Sequence, residues 1–324
     1  MRTWVTACVV VVCVVAALAQ QRSKTSWGDP DLQGIWSNAT LTPLERSAEM
    51  KDKEFLTEAE VADVERTGLE RTLKPIAIEV AASGELNDRW LELGKVVRSH
   101  RTSLIVDPPD GKIPFTPEGK KRRDAALAKL LNLVPSNSFE DRNLAERCLM
   151  TGGLLVPNPF YLNNHQIVQN RGHVVIVSEV MRQTRIIPLD GRAPLSSGIT
   201  QWAGDSRGRW EGETLVIETT NFNEKGGFQA ATAGLRLIER FTKVDNQTMD
   251  YQLTISDPAT FTQPWTLVNT LRRIPGQIYE YGCHEGNYGL PNILSGARVQ
   301  EKVRAEKAPS QEKAASAQEG QEKK

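Results

Sequence analysis

The chain has 324 residues, and its 40 Lys and Arg balance 40 Asp and Glu. With no basic excess, nothing draws it to nucleic acid or to an anionic membrane surface. Once an N-terminal segment is set aside, roughly 300 residues remain, enough to bury a substantial core in one large domain or two small ones.

The chain opens with the features of an export signal. Arg2 supplies a positive start, an apolar run extends from Val5 to Leu18, and Ala17-Leu18-Ala19 forms a small-x-small cleavage site before Gln20. The run is shorter than the ~20 residues of a membrane-spanning helix, and no second one follows. Residues 1–19 are therefore expected to be a signal peptide cleaved between Ala19 and Gln20, leaving a secreted or periplasmic protein without stable membrane insertion. Cys8 and Cys13 lie inside the apolar run, and Cys13 follows Val12 rather than a small residue, which argues against a lipid anchor. The two cysteines left after cleavage, Cys148 and Cys283, are an even pair in an oxidising compartment and predict a disulfide.

Residues 20–148 carry helical and irregular signals with one or two strands. Thr57-Glu58-Ala59-Glu60 is a capping box, in which hydroxyl and carboxylate satisfy free amides at a helix start, and predicts a helix to about Thr67. Thr116-Pro117-Glu118 marks a second start, followed by Ala126, Leu127, Leu130 and Leu131 on one face. Ser103 to Val106 reads as a short strand ending in the turn Asp107-Pro108-Pro109-Asp110-Gly111.

From residue 149 to 298 the pattern becomes short apolar runs separated by turn residues, as in antiparallel hairpins. Gln166–Gln169 and His173–Val177 flank Asn170-Arg171-Gly172; Arg207–Trp210 and Thr214–Glu218 flank Glu211-Gly212-Glu213. Arg236–Lys243 and Thr248–Ile255 flank Asp245-Asn246-Gln247, and Trp265–Arg272 and Gln277–Cys283 flank Pro275-Gly276. About eight successive hairpin strands must remove their open edges, which predicts a mainly β fold: an antiparallel meander closed into a barrel, or a two-sheet sandwich. Residues 299–324 are Glu, Lys, Gln, Ala and Ser with almost no large apolar residue, and are expected to be a disordered charged tail.

Gly34-Ile35-Trp36, ahead of the meander, resembles the Gly-x-Trp motif of lipocalins and related calycin barrels. That resemblance implies a lipocalin-like barrel in which Trp36 packs across the closed end. More of the chain, Trp27 to Glu301, resembles a family of uncharacterised secreted bacterial proteins. The resemblance lies in Pro30-Asp31-Leu32-Gln33-Gly34-Ile35-Trp36, Arg185-Ile186-Ile187-Pro188-Leu189-Asp190-Gly191-Arg192, Asp205-Ser206-Arg207-Gly208-Arg209-Trp210-Glu211-Gly212 and Cys283-His284-Glu285-Gly286-Asn287-Tyr288. It implies export and a shared barrel-like fold but brings no activity with it. Similar sequences often carry His-Asp shortly before the Arg-Ile-Ile-Pro phrase, where this chain has Arg182-Gln183-Thr184.

Two constellations are candidate sites. His284 and Glu285 pair an imidazole with a carboxylate, which together serve acid–base catalysis near neutral pH, or else make turn hydrogen bonds beside the Cys148–Cys283 bridge. Tyr288 adds a hydroxyl to the same loop. Arg207 and Trp210 would grip an anion and stack on a ring at a barrel mouth, or form a tight turn with a core tryptophan. Arg185, like Glu179 and Glu218, would line a polar pocket if it faces the interior. No two histidines have zinc-motif spacing, so no metal is expected, and no cofactor is indicated. A Gly-x-Ser-x-Gly elbow is absent from the sequence.

Two functional classes follow. The first is a secreted or periplasmic protein binding a small apolar or aromatic ligand inside the barrel. The second is a metal-independent extracellular hydrolase, lyase or isomerase that uses His284 with Glu285. A third possibility, an envelope scaffold whose helices and charged tail contact other proteins, would show as a core-filled barrel without a pocket.

Overall fold

The structure, a computed structural model, describes residues 24–68, 92–131, 134–149, 155–157, 163–225 and 228–322. The expected signal peptide lies outside them. The described residues fall into two compact units, one drawn from the chain up to Lys120 and from Thr151 to Tyr281, the other from Lys121–Met150 and the chain from Gly282.

The first unit is a ten-stranded antiparallel sheet curled into a nearly closed barrel. Its strands are β1 (Gly34–Ser37), β2 (Ile105–Asp107), β3 (Asn164–Gln169), β4 (His173–Ser178), β5 (Thr184–Pro188), β6 (Asp205–Glu211), β7 (Thr214–Thr220), β8 (Arg236–Lys243), β9 (Thr248–Ser256) and β10 (Trp265–Arg273). Nine of them follow one another in the order β5-β4-β3-β1-β10-β9-β8-β7-β6, and β2 pairs with β10 beside this path. The hairpins β3–β4, β6–β7 and β8–β9 form at the predicted turns.

Period-two alternation decides which side chains enter the barrel. On β8, Leu237, Glu239, Phe241 and Lys243 are buried, and on β9, Met249, Tyr251, Leu253 and Ile255. Trp36, Ile167, Ile176, Ile187, Ile217, Trp265 and Leu267 are among the residues of the same core. Burying a side chain of this size stabilises the fold by roughly 1.5–3 kcal/mol.

The barrel has a seam. Neighbours along the nine-strand path run antiparallel, so the end strands β5 and β6 must run in the same direction. No ladder joins them. Side chains close the gap instead. A Cβ on Gly208 of β6 would lie 2.8 Å from Ile187 Cγ2 and 2.7 Å from Leu189 Cδ2, so the missing side chain lets β5 and β6 approach.

β1 shows why Gly34 is needed. Its φ of +136° suits glycine, and a Cβ there would stand 2.9 Å from the Arg273 guanidinium. That guanidinium covers the Trp36 ring at 5.8 Å from its centroid, while Trp36 Nε1 donates to Leu32 O at 2.9 Å.

Several expectations change. Residues 277–283 hold no strand: β10 instead pairs with β9 on one side and with β1 and β2 on the other, so its edges are already filled. The barrel recruits β1 from the N-terminal region, whose capping-box helix (58–68) forms with Thr57 N donating to Glu60 Oε2 at 2.8 Å. The second predicted helix spans Pro117–Leu130, yet Leu127 and Leu131 are exposed. The segment after Arg298, expected without fixed structure, continues the helix Gly289–Glu322, in keeping with its Ala, Glu and Lys content.

In the second unit the Cys148–Cys283 disulfide forms, with Cα atoms 5.7 Å apart. Asn287 Nδ2 donates to Glu146 O at 3.3 Å beside it. Among the described residues, no helix is long and apolar enough to cross a membrane.

Candidate ligand-binding site

Two regions of the barrel unit concentrate polar groups. The first is inside. Arg185 of β5 reaches across the seam, donating from Nη1 to Glu239 Oε1 at 3.1 Å and from Nη2 to Ser206 Oγ and Thr219 Oγ1, both at 3.2 Å. Nη2 also pairs closely with Glu239 Oε2. Tyr251 Oη donates to Glu239 Oε1 at 3.0 Å. Burial works against the guanidinium charge, but the Glu239 carboxylate beside it holds the Arg185 pKa above its usual value. Burial, with Glu239 adding to it, raises Tyr251 well above the ordinary phenol value.

His165 of β3 faces the same interior, opposite Trp36 across the β1–β3 ladder. Its Nδ1 meets Ser178 Oγ at 3.0 Å, and its buried Nε2 has no hydrogen-bond partner. Burial, reinforced by the Arg185 charge, lowers its pKa to about 3. The imidazole is therefore neutral at physiological pH.

Among the described residues, Glu239, Phe241, Leu253, Ile176, Ile187 and Leu267 are all 0 % exposed, so the interior around this polar layer is closely packed. The polar layer is satisfied largely by its own members and fixes the core.

The second region is on the outer wall. A groove of about 390 Å³ lies between the outward side chains of β8–β10 and residues 97–99, lined by Val97, Arg98, Arg240, Asp250, Gln252 and Val268 among others. Arg98 Nη2 pairs with Asp250 Oδ2 at 2.5 Å, and Arg98 N donates to Thr270 Oγ1 at 3.1 Å, which ties the 97–99 segment to the sheet. Arg240 Nη1 contacts Glu211 Oε2 at 2.8 Å. Hydrogen bonds from Arg240 and Arg209 lower the Glu211 pKa. The Tyr251 hydroxyl bonds Glu239 in the core, so its ring turns away from the groove.

The residues singled out from sequence scatter. Arg185 is interior, as the strand pattern allowed. Arg207 is held by Asp205 at 2.5 Å and by Ala193 O at 3.1 Å, and Trp210 packs against the core from the inward side of β6. Glu179 is buried, accepting from Asn164 Nδ2 at 2.8 Å and from Tyr279 N at 3.0 Å. Glu218 faces outward and pairs with Arg236 at 2.8 Å. His284 and Glu285 are exposed on the turn 283–286, and Tyr288 is exposed nearby. Among the described residues no His/Cys/Asp/Glu cluster is arranged to hold a metal ion.

Glu239 and Lys243 were missed, although a signal existed: both sit at apolar-phase positions of β8. The groove residues gave none, because what covers an outward face depends on a segment about 150 positions away.

No protein-family model matches the chain, and no curated protein is significantly similar to it. The resemblances read from the sequence rest on their motifs alone.

Proposed function

We propose that the protein is an exported small-molecule binding protein whose barrel is a rigid support and whose ligand occupies the outer groove. One contrast carries this reading: the interior around Arg185 and Glu239 is closely packed, whereas the groove has about 390 Å³, within the range of small-molecule sites, with charged and amide groups lining it. The ligand expected from sequence was apolar or aromatic and lay inside the barrel. The groove instead favours a ligand that carries polar groups, since Arg98, Arg240, Asp250 and Gln252 line it beside Val97 and Val268. Export is supported by the N-terminal sequence pattern and by the disulfide, which reducing cytosol disfavours.

The test is a fragment screen by ligand-observed NMR on the full-length mature chain and on Gln252→Trp. Gln252 points outward on β9, so the indole fills the groove without entering the core. Hits lost in Gln252→Trp support the groove; hits that bind both proteins equally overturn it.

A further inference from the structure

The outward side chains over the groove stand in two rows fixed by ladder register. Arg240, Gln252 and Val268 lie directly opposite one another across β8, β9 and β10. Thr242, Asp250 and Thr270 form the next row. Because the rows are two residues apart along each strand, their separation is about 6.6 Å. One row therefore offers a guanidinium and an amide, the other a carboxylate and two hydroxyls.

Each charged group is paired, but neither pair is locked. Glu211, the partner of Arg240, is also held by Arg209 at 3.0 and 2.7 Å, so Arg240 can turn to a ligand without stranding that carboxylate. Asp250 is paired with Arg98, whose side chain is 57 % exposed and can swing into water at small cost.

We infer that the groove selects a zwitterion, a short aliphatic chain with an amine at one end and a carboxylate at the other. This rests on the groove being the ligand site. The carboxylate meets Arg240 and Gln252, the ammonium meets Asp250 with Thr242 and Thr270, and the aliphatic stem lies along Val268. A simple anion gains nothing from Asp250, and a simple cation nothing from Arg240, so single-charge molecules bind more weakly than the zwitterion.

The experiment titrates isotope-labelled full-length mature protein with 5-aminopentanoate, pentanoate and pentylamine, following backbone amide shifts. The zwitterion spans about two strand residues, matching the row separation. We expect it to shift amides of β8–β10 and residues 97–99 and to bind at least about tenfold more tightly than either half-ligand. Asp250→Asn reduces its affinity to that of pentanoate, and Arg240→Gln to that of pentylamine. Both positions point outward, and unchanged spectra away from the groove verify that each variant folds. Pentanoate binding as tightly as the zwitterion, or no binding by any probe, overturns the ligand class and leaves the groove to the Gln252→Trp test. Shifts confined to residues elsewhere overturn the groove itself.

Discussion

Arg185 on β5 and Glu239 on β8 form an ion pair inside the barrel, joined across a seam where no backbone ladder exists. The same guanidinium donates to Ser206 of β6 and Thr219 of β7, so Arg185 ties β5, one end of the nine-strand path, to β6 at the other end and to β7 and β8 beside it. Removing one member leaves a buried charge without its partner. Arg185→Met is expected to cost about 3–5 kcal/mol, and Arg185→Met with Glu239→Leu to recover much of it, because the apolar pair removes both desolvation penalties. Urea unfolding of the three proteins measures this. A loss below about 1 kcal/mol in the single variant would show that the seam is held by packing instead.

His165 makes stability depend on pH. Its pKa falls from 6.5 in the unfolded chain to about 3 in the fold. Between these values the unfolded state binds the extra proton, so stability declines as pH drops below 6.5, by at most about 1.4 kcal/mol per pH unit. His165→Gln flattens this slope. Glu60 and Asp190 act in a lower window: Lys53 and Arg192 hold both near 2, so their contribution is lost only as pH falls below the ordinary 4.5 and 3.8. Urea midpoints at pH 7 and 5 isolate the histidine, and equal slopes in wild type and His165→Gln would refute the assignment.

Gly208 sets how closely the seam can close. Gly208→Ala is expected to destabilise by about 1–3 kcal/mol, since the new methyl collides with Ile187 and Leu189. Ile187→Ala in the same chain makes room, so the two changes together should cost less than the sum of their separate effects, as thermal melts of the three variants will show.

The Cys148–Cys283 bridge closes a loop with a sequence separation of 135. In the chain-entropy model such a loop stabilises by about 5 kcal/mol, before any native strain. Reduction, or Cys148→Ala with Cys283→Ala, should lower stability accordingly, and a thiol assay on the unfolded, unreduced protein should find no free cysteine.

Much of the barrel was legible because alternation and turn chemistry are local. β8 and β9 follow from residues 236–256 without reference to the rest of the chain. The failure at 277–283 has the same origin: alternation identifies a segment able to pair but not whether an edge is free. β10 was already occupied by β9, β1 and β2.

The candidate site was much less legible. Arg185 was noticed as a charge on a strand, but its partner Glu239 lies 54 positions away on a strand that it reaches only when the sheet curls. His284 and Glu285 drew attention because they are adjacent in sequence, and adjacency alone does not make groups converge.

By itself, the sequence determined the hairpins β3–β4, β6–β7 and β8–β9 and the cysteine pair, because φ/ψ preference and side-chain alternation act over a few residues. Only the tertiary structure decided that β1 joins β3 to β10, that the seam closes through Arg185 and that a groove forms on the outer wall of β8–β10. These depend on which distant segments exclude water from one another, and burial of that kind is a property of the folded chain as a whole.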